Sequence, residues 1–191
     1  MEPVKMKNKL LISLSLSLGT LLTLVSYPSM SGELNNGRTF FNQSPRLLNV
    51  MTTFQGIRIP FPSYYYTIEL PAQSGESLQK VMINKREGSD IIHYNTDQTI
   101  AFEGTPDHRG DSIKVKDTQW DEKSETLIIT LDTPVSPGKV FTIGLKPKKN
   151  PEFSGIYLFG VTVFPVGNNP MYLYLGNGRL HFFGSEGGSQ S

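Results

Sequence analysis

The chain has no cysteine and only three histidines among its 191 residues. Without cysteine it forms no disulfide and carries no lipid-modified cysteine anchor, so once exported its domain must be stable through its own core. The histidines, His93, His108 and His181, fall in three separate segments with no paired spacing, whereas metal ligation needs side chains that converge. Neither a metal site nor a cofactor is expected. Excess charge is lacking as well, with 18 basic residues against 17 acidic ones. Subtracting Lys5, Lys7, Lys9 and Glu2, which lie in the first 31 residues, leaves 15 and 16. So balanced a chain gives no electrostatic reason to bind nucleic acid or an anionic membrane surface. No Gly-x-Ser-x-Gly elbow, no repeat of fixed period and no convincing amphipathic helix is present either.

What the chain does have begins with a secretory layout. Lys5, Lys7 and Lys9 precede an apolar run from Leu10 to Val25, and Ser29-Met30-Ser31 puts small residues at both recognition positions. Cleavage is expected between Ser31 and Gly32. The run is short of the roughly 17 to 25 residues a spanning helix needs, and Ser and Thr interrupt it. No transmembrane segment is therefore expected in the mature chain. Residues 32–191 suffice for one domain, which at that size buries roughly 70 per cent of its unfolded surface.

The stretch that organises the remainder is Ile156 to Phe164, nine uncharged residues rich in β-branched and aromatic types and stopped by Pro165. It reads as a central strand buried on both faces, with Tyr157, Phe159, Val161 and Val163 against the main core. Shorter alternating segments precede it. Tyr64 to Leu70 places Tyr64, Tyr66, Ile68 and Leu70 on one face. Val81-Met82-Ile83 is a strand after a Gly75 turn, and Asp90 to Tyr94 pairs with Thr99 to Glu103 as a hairpin. Ser112 to Asp117 alternates about Ile113 and Val115. After a charged turn around Trp120 and Asp121 to Glu125, two further strands carry Leu127, Ile129 and Leu131, then Phe141, Ile143 and Leu145. Lys146 to Gly155 is a loop, and Tyr172 to Leu175 with Arg179 to Phe183 forms a last hairpin about Gly176-Asn177-Gly178.

Strands spaced by roughly 8 to 12 residues with turn signals between them predict an all-β chain, a single antiparallel β-sandwich of immunoglobulin-like general architecture. An open β-barrel is the alternative, and the sequence leaves both open. The expected division is a signal peptide at 1–31, N-terminal edge strands at 32–62, the sandwich core at 63–183 and a disordered Gly/Ser tail at 184–191.

Several of these segments carry a resemblance. The succession includes Pro45-Arg46-Leu47, Tyr64 to Pro71, Leu78-Gln79-Lys80-Val81, Thr99-Ile100-Ala101-Phe102 and Pro134-Val135-x-Pro137-Gly138. It continues with Asn150-Pro151, Gly155 to Thr162 and Leu175-Gly176-x-Gly178-Arg179-Leu180-His181-Phe182. It resembles a family of exported cyanobacterial proteins catalogued as a domain of unknown function, over roughly residues 37 to 183, a span of ordinary single-domain size. The resemblance implies a bacterial protein of the periplasm, the cell surface or the medium. It brings no catalytic or ligand residue with it. Phe183 stands where the family favours Tyr, and Asn168-Asn169 where it favours an acidic residue.

Candidate sites follow from residue chemistry alone. Ser77-x-x-Lys80 and Ser136-x-x-Lys139 have the spacing of serine and lysine acyl transferases, but both serines are expected in turns and not at the start of a buried helix. Asp107, His108 and Asp111 share one glycine-containing loop, with fewer and more widely spaced oxygens than calcium needs. Arg109-Gly110-Asp111 and the acceptor pattern Asn42-Gln43-Ser44 are read as coincidences of short motifs. Tyr65, Tyr172 and Tyr174 are candidates for stacking on sugar rings, while Tyr64 and Tyr66 belong to the core. The ligand-binding candidates are thus Tyr65, Asp107, His108, Asp111, Tyr172 and Tyr174.

These features predict an exported, non-enzymatic binding or structural module of the cell envelope whose partner is a polysaccharide or protein component. The alternative is a hydrolase of envelope polysaccharide whose carboxylates, among them Glu69, Asp107 and Asp111, converge only in the fold. Mass spectrometry of the exported protein should find a chain starting within a few residues of Gly32; an intact amino terminus would contradict the signal assignment.

Overall fold

A computed structural model describes residues 37–184. The expected signal segment with its Ser31/Gly32 cleavage point, and residues 185–191 of the expected tail, lie outside the described residues. Ten strands form two five-stranded sheets in which every neighbouring pair is antiparallel. The first sheet has the order β1 (Arg46–Thr52), β2 (Tyr64–Leu70), β8 (Lys139–Leu145), β4 (Ile100–Thr105), β5 (His108–Ile113). The second has the order β10 (Leu173–Phe182), β9 (Gly155–Pro165), β3 (Leu78–Glu87), β7 (Thr126–Val135), β6 (Val115–Asp121). The chain is a β-sandwich and not a closed barrel, and its one short helical turn among the described residues is Thr96–Gln98.

Period-two alternation fills the space between the sheets. Tyr64, Tyr66, Ile68 and Leu70 of β2 and Phe141, Ile143 and Leu145 of β8 face Val81 and Ile83 of β3, Leu127, Ile129 and Leu131 of β7 and Tyr157, Phe159, Val161 and Val163 of β9. All of these are buried. The ring of Phe159 meets Tyr64 and Tyr66 edge-on, with centroids 6.1 and 6.2 Å apart, as aromatic quadrupoles prefer. The two sheets close along one side where β1 lies against β10. Gly178 makes that approach possible, since a Cβ there would sit 2.2 Å from Cγ2 of Val50.

Five expectations need correction. β9 is not the middle of its sheet: β3 is, and β9 lies between β3 and the edge strand β10. Its even face is only partly covered, with Ile156 exposed, and its lack of charge reflects side chains from neighbouring strands folding over Gly160. Asp90 to Tyr94 is no strand, because β4 pairs instead with β5 around Pro106-Asp107. The alternation of Ile92 and Tyr94 arises from plugging the end of the core, while the backbone there bonds to Lys146 and Lys148. Ser112 to Asp117 is broken at Lys114, where the chain passes from one sheet to the other with Ile113 and Val115 both packed on the core. Trp120 belongs to β6, its ring 5.2 Å from that of Tyr94, and not to the charged turn. Finally, β10 is one strand along β9; Gly176, at φ 114°, absorbs a register shift and does not reverse the chain.

One end of the sandwich gathers residues 53–63, 88–99, 122–125 and 146–154 together with Phe183. Asn150 holds this pole to the core. It is buried, its Nδ2 donates to the carbonyls of Phe54 (2.8 Å) and Gly56 (2.7 Å), and its Oδ1 accepts from the Tyr64 hydroxyl (2.9 Å). Burial pushes the Tyr64 phenol above its usual range, so it stays a neutral donor. Backbone bonds continue the layer, from Ile57 to Phe183, Arg58 to Pro151 and Phe61 to Lys148.

Phe159→Ala should cost about 3 to 5 kcal/mol of stability, a large part of a domain's total, whereas His181→Ala on the outward side of β10 should stay within about 0.5 kcal/mol. Urea unfolding decides between this and equal, small shifts. Asn150→Ala, which orphans two carbonyls and a buried hydroxyl, should cost about 3 kcal/mol and speed amide exchange at Ile57 and Arg58.

Candidate functional site

The β4–β5 hairpin carries four of the six residues singled out from sequence or touches them. A register shift between Phe102 and Gly104 curls it over the outer face of the first sheet, where the Thr142 hydroxyl donates to the Gly104 carbonyl at 2.7 Å. Gly104 has φ 84°, and a Cβ there would lie 2.2 Å from the His108 carbonyl oxygen, so the bend needs glycine. The curl lays the Arg109 guanidinium 4.6 Å from the Phe102 ring centroid and 5.3 Å from that of Tyr65, and Arg109 also donates to the Tyr65 hydroxyl at 2.8 Å. Tyr65 is consequently only 6% exposed and has no free face to offer a sugar.

The same contacts explain Arg109-Gly110-Asp111, whose arginine is a lid on two rings and not a projecting recognition group. Asp107, His108 and Asp111 do not share a loop: Asp107 is in the tight turn, while the other two stand exposed on β5. Among the described residues no three His, Asp or Glu side chains are grouped to hold a metal ion. Ser77 immediately precedes β3 and Ser136 sits in the β7–β8 turn, as expected of residues outside a helix.

Tyr172 and Tyr174 are placed differently. Leu173 pairs with Val163 and Tyr174 with Thr162, so both tyrosines lie on the outer face of the second sheet beside Phe164, Thr162 and Gly160. Tyr172 is 70% exposed and Tyr174 45%. The Tyr172 and Phe164 rings are 6.1 Å apart, and Lys80 of β3 sets its Nζ 5.3 Å over Phe164. One row along, the Arg86 guanidinium lies 5.7 Å from the Tyr174 ring, whose hydroxyl donates to Asn177 at 2.6 Å. Gly160 creates the space, because a Cβ would come within 2.9 Å of Arg86 Nε and 3.1 Å of Tyr174 Cε2.

Neither Lys80 nor Arg86 has a carboxylate partner among the described residues. The result is a strip of rings, Tyr172 tilted 49° to Phe164, with a cation lacking a carboxylate partner over Phe164 and another over Tyr174. It leads into an apolar groove of about 300 Å³ bordered by Phe40, Phe41, Met171 and Tyr172. Sequence reading picked out the two tyrosines but not Phe164, Lys80 or Arg86. The outward alternation of β3 and β9 was visible, yet their pairing register, which sets these residues side by side, was not.

A second concavity, of about 530 Å³, opens at the loop pole and is lined by Asp90, Ile92, His93, Lys148, Lys149 and Glu152. Its carboxylates are structurally engaged. Asp90 accepts from the backbone N–H groups of Glu152 (2.5 Å) and Phe153 (3.1 Å). Hydrogen bonds from Lys149 and Arg58 hold the Glu152 carboxyl below the usual carboxylate range. Beneath them Lys85, nearly buried, pairs with Glu125 at 2.7 Å and donates to the carbonyls of Gly88 and Asp90.

No curated protein matches the chain. Among solved structures it is similar to BslA, a bacterial hydrophobin, at 14% identity and TM-score 0.45 over 74% of this chain and 95% of that one. A collagen-binding domain from a Staphylococcus aureus adhesin aligns at 9% identity and TM-score 0.34, covering 64% and 87% of the two chains. The 35 kDa C-terminal fragment of the major pilin GBS80 of Streptococcus agalactiae aligns at 9% and 0.47, covering 73% and 56%. The sequence over residues 38–182 matches the family described as "Protein of unknown function (DUF2808)", and the chain belongs to that family.

Proposed function

We propose that the protein is an exported, non-enzymatic binding module of the bacterial cell envelope that holds an acidic polysaccharide against the outer face of its second sheet. The observation that carries this reading is the strip of Tyr172, Phe164 and Tyr174 with Lys80 and Arg86 beside it. Sugar rings present flat C–H faces that stack on aromatic side chains, and uronate or sulfate groups pair with unengaged cations. A sheet holds such rings at fixed spacing, so little ordering is required on binding. The amino-terminal signal layout supports export.

The hydrolase alternative needs a carboxyl that stays protonated near neutral pH beside a second one that stays ionised. Glu69 is paired with Arg46 at 2.5 Å and sits on β2, three strands from Asp111 on β5. In the pole cleft, Glu152 is pushed toward ionisation by Lys149 and Arg58, the wrong direction for a general acid. The arrangement favours holding a ligand over cleaving one.

A glycan array followed by titration with polygalacturonate, and with dextran as a neutral control, tests the proposal. Retention of the acidic polymer is expected, with Tyr172→Ala and Tyr174→Ala each weakening it about tenfold, in keeping with one lost ring contact and its buried area. Replacing Lys80 and Arg86 by Gln should flatten the dependence on salt. Binding that ignores all four substitutions, or release of reducing ends from the polymer, would overturn it.

A further inference from the structure

Pairing register orders what the outer face of the second sheet offers along its strands. On one side of β9, Lys80 pairs with Phe164, Met82 with Thr162, Asn84 with Gly160 and Glu87 with Leu158. On the other side, Tyr174 pairs with Thr162, Asn177 with Gly160 and Arg179 with Leu158. Arg179 alternates with the buried Gly178 and Leu180, so its side chain leaves the sheet on the same face as Tyr174 and Asn177. It is exposed and has no ion-pair partner among the described residues, Glu87 across Leu158 included.

Rings and charges are distributed unevenly over this face. Tyr172 and Tyr174 are successive outward residues of one segment, with Phe164 beside the first, so the stacking surfaces run lengthwise along β9 and β10. Across the strands the face changes character. Beyond Lys80, β7 offers Thr126, Ile128 and Thr130, with neither a ring nor a charge. β6 then offers Asp117, Gln119 and Asp121, with Lys116 next to the first of them. Glu87 also lies on the β3 side of β9, away from Arg179. A polyanion laid across the strands would leave the rings after Lys80 and meet the carboxylates of β6. One laid lengthwise stays on the rings and meets Lys80 over Phe164, Arg86 against Gly160 and Tyr174, and then Arg179.

The length of this track follows from strand geometry. β9 is regular between Phe164, beside Lys80, and Leu158, beside Arg179. That stretch is roughly 20 Å long at about 3.4 Å per residue, on the order of five linked sugar rings. Two ends so far apart are bridged by a polymer and not by one sugar.

Taking this face as the polysaccharide site, on which the inference rests, we infer that the ligand is a linear polyuronate lying lengthwise along β9 and β10, with Arg179 as a third cation that engages its far end. Uronate groups at each cation add weak exposed contacts, and their linkage in one chain turns the later ones into intramolecular steps.

Titrating the protein with galacturonate oligomers from dimer to octamer tests this. Affinity should climb about a hundredfold between dimer and hexamer and then level off, as linked contacts reinforce one another only until the track is filled. Arg179→Gln should weaken the hexamer about fivefold with little effect on the dimer, and should leave the melting temperature unchanged because the side chain is exposed. Asp117→Asn should alter neither, since β7 separates that residue from the track. A dimer that binds as tightly as the hexamer, or hexamer binding that ignores Arg179→Gln and tightens with Asp117→Asn, would overturn the inference. The polysaccharide reading would then still stand on the dependence of binding on Tyr172 and Tyr174. Loss of binding to every oligomer and to the polymer would overturn both.

Discussion

Everything in this molecule hangs on the aromatic contact between its sheets, and on Tyr64 in particular. Its ring is fully buried, 6.1 Å from Phe159 and 5.8 Å from Phe182, so it joins β2 of one sheet to β9 and β10 of the other. Its hydroxyl reaches out of that layer to Asn150, which in turn ties the loops of the pole. With no cysteine in the chain, packing of this kind has to supply cohesion that no cross-link can add. One residue thereby couples the core to the loops of that pole.

The two sheets treat their outer faces in opposite ways, and the difference comes from short-range backbone geometry. On the first sheet the left-handed Gly104 turns the β4–β5 hairpin back, and Arg109 closes over Phe102 and Tyr65. Thr67 and Thr142 are buried beneath that cover and bond to one another at 3.0 Å. On the second sheet no hairpin returns among the described residues. The rings of Tyr172 and Tyr174 stay uncovered, and the cations beside them approach ring faces in place of carboxylates. This open face, whose cations lack carboxylate partners, is the basis of the proposed polysaccharide site.

The aromatic strip and the loop pole are positioned by different parts of the fold. The strip follows the register of β3, β9 and β10, whereas the pole depends on loops pinned by Asn150 and Asp90. For the proposed polysaccharide site such preorganisation matters, because rings and cations held in place before binding lose less entropy when a ligand arrives. In the pole, the left-handed backbone at Arg58 and Phe61 is tolerated because the core beneath it is closely packed.

Alternation along the strands was enough to determine the all-β class, the inward faces of β2, β7, β8 and β9, and the placement of Tyr64, Tyr66 and Phe159 in the core, since a period of two is written directly into which residues are apolar. It could not say which strands neighbour which. Hence the local pattern makes β9 central though β3 is, puts Ile113 and Val115 on one strand though the chain changes sheets between them, and makes β10 a hairpin though Gly176 only shifts its register. Candidate residues divided on the same ground. The exposure of Tyr172 and Tyr174, the burial of Tyr65 under Arg109, and the meeting of Phe164 with Lys80 and of Tyr174 with Arg86 are contacts between segments far apart in the chain. Local sequence encodes which way a side chain points along its own strand; what it then touches is decided by strand order, register and the path of the loops, which exist only once the sheets have paired.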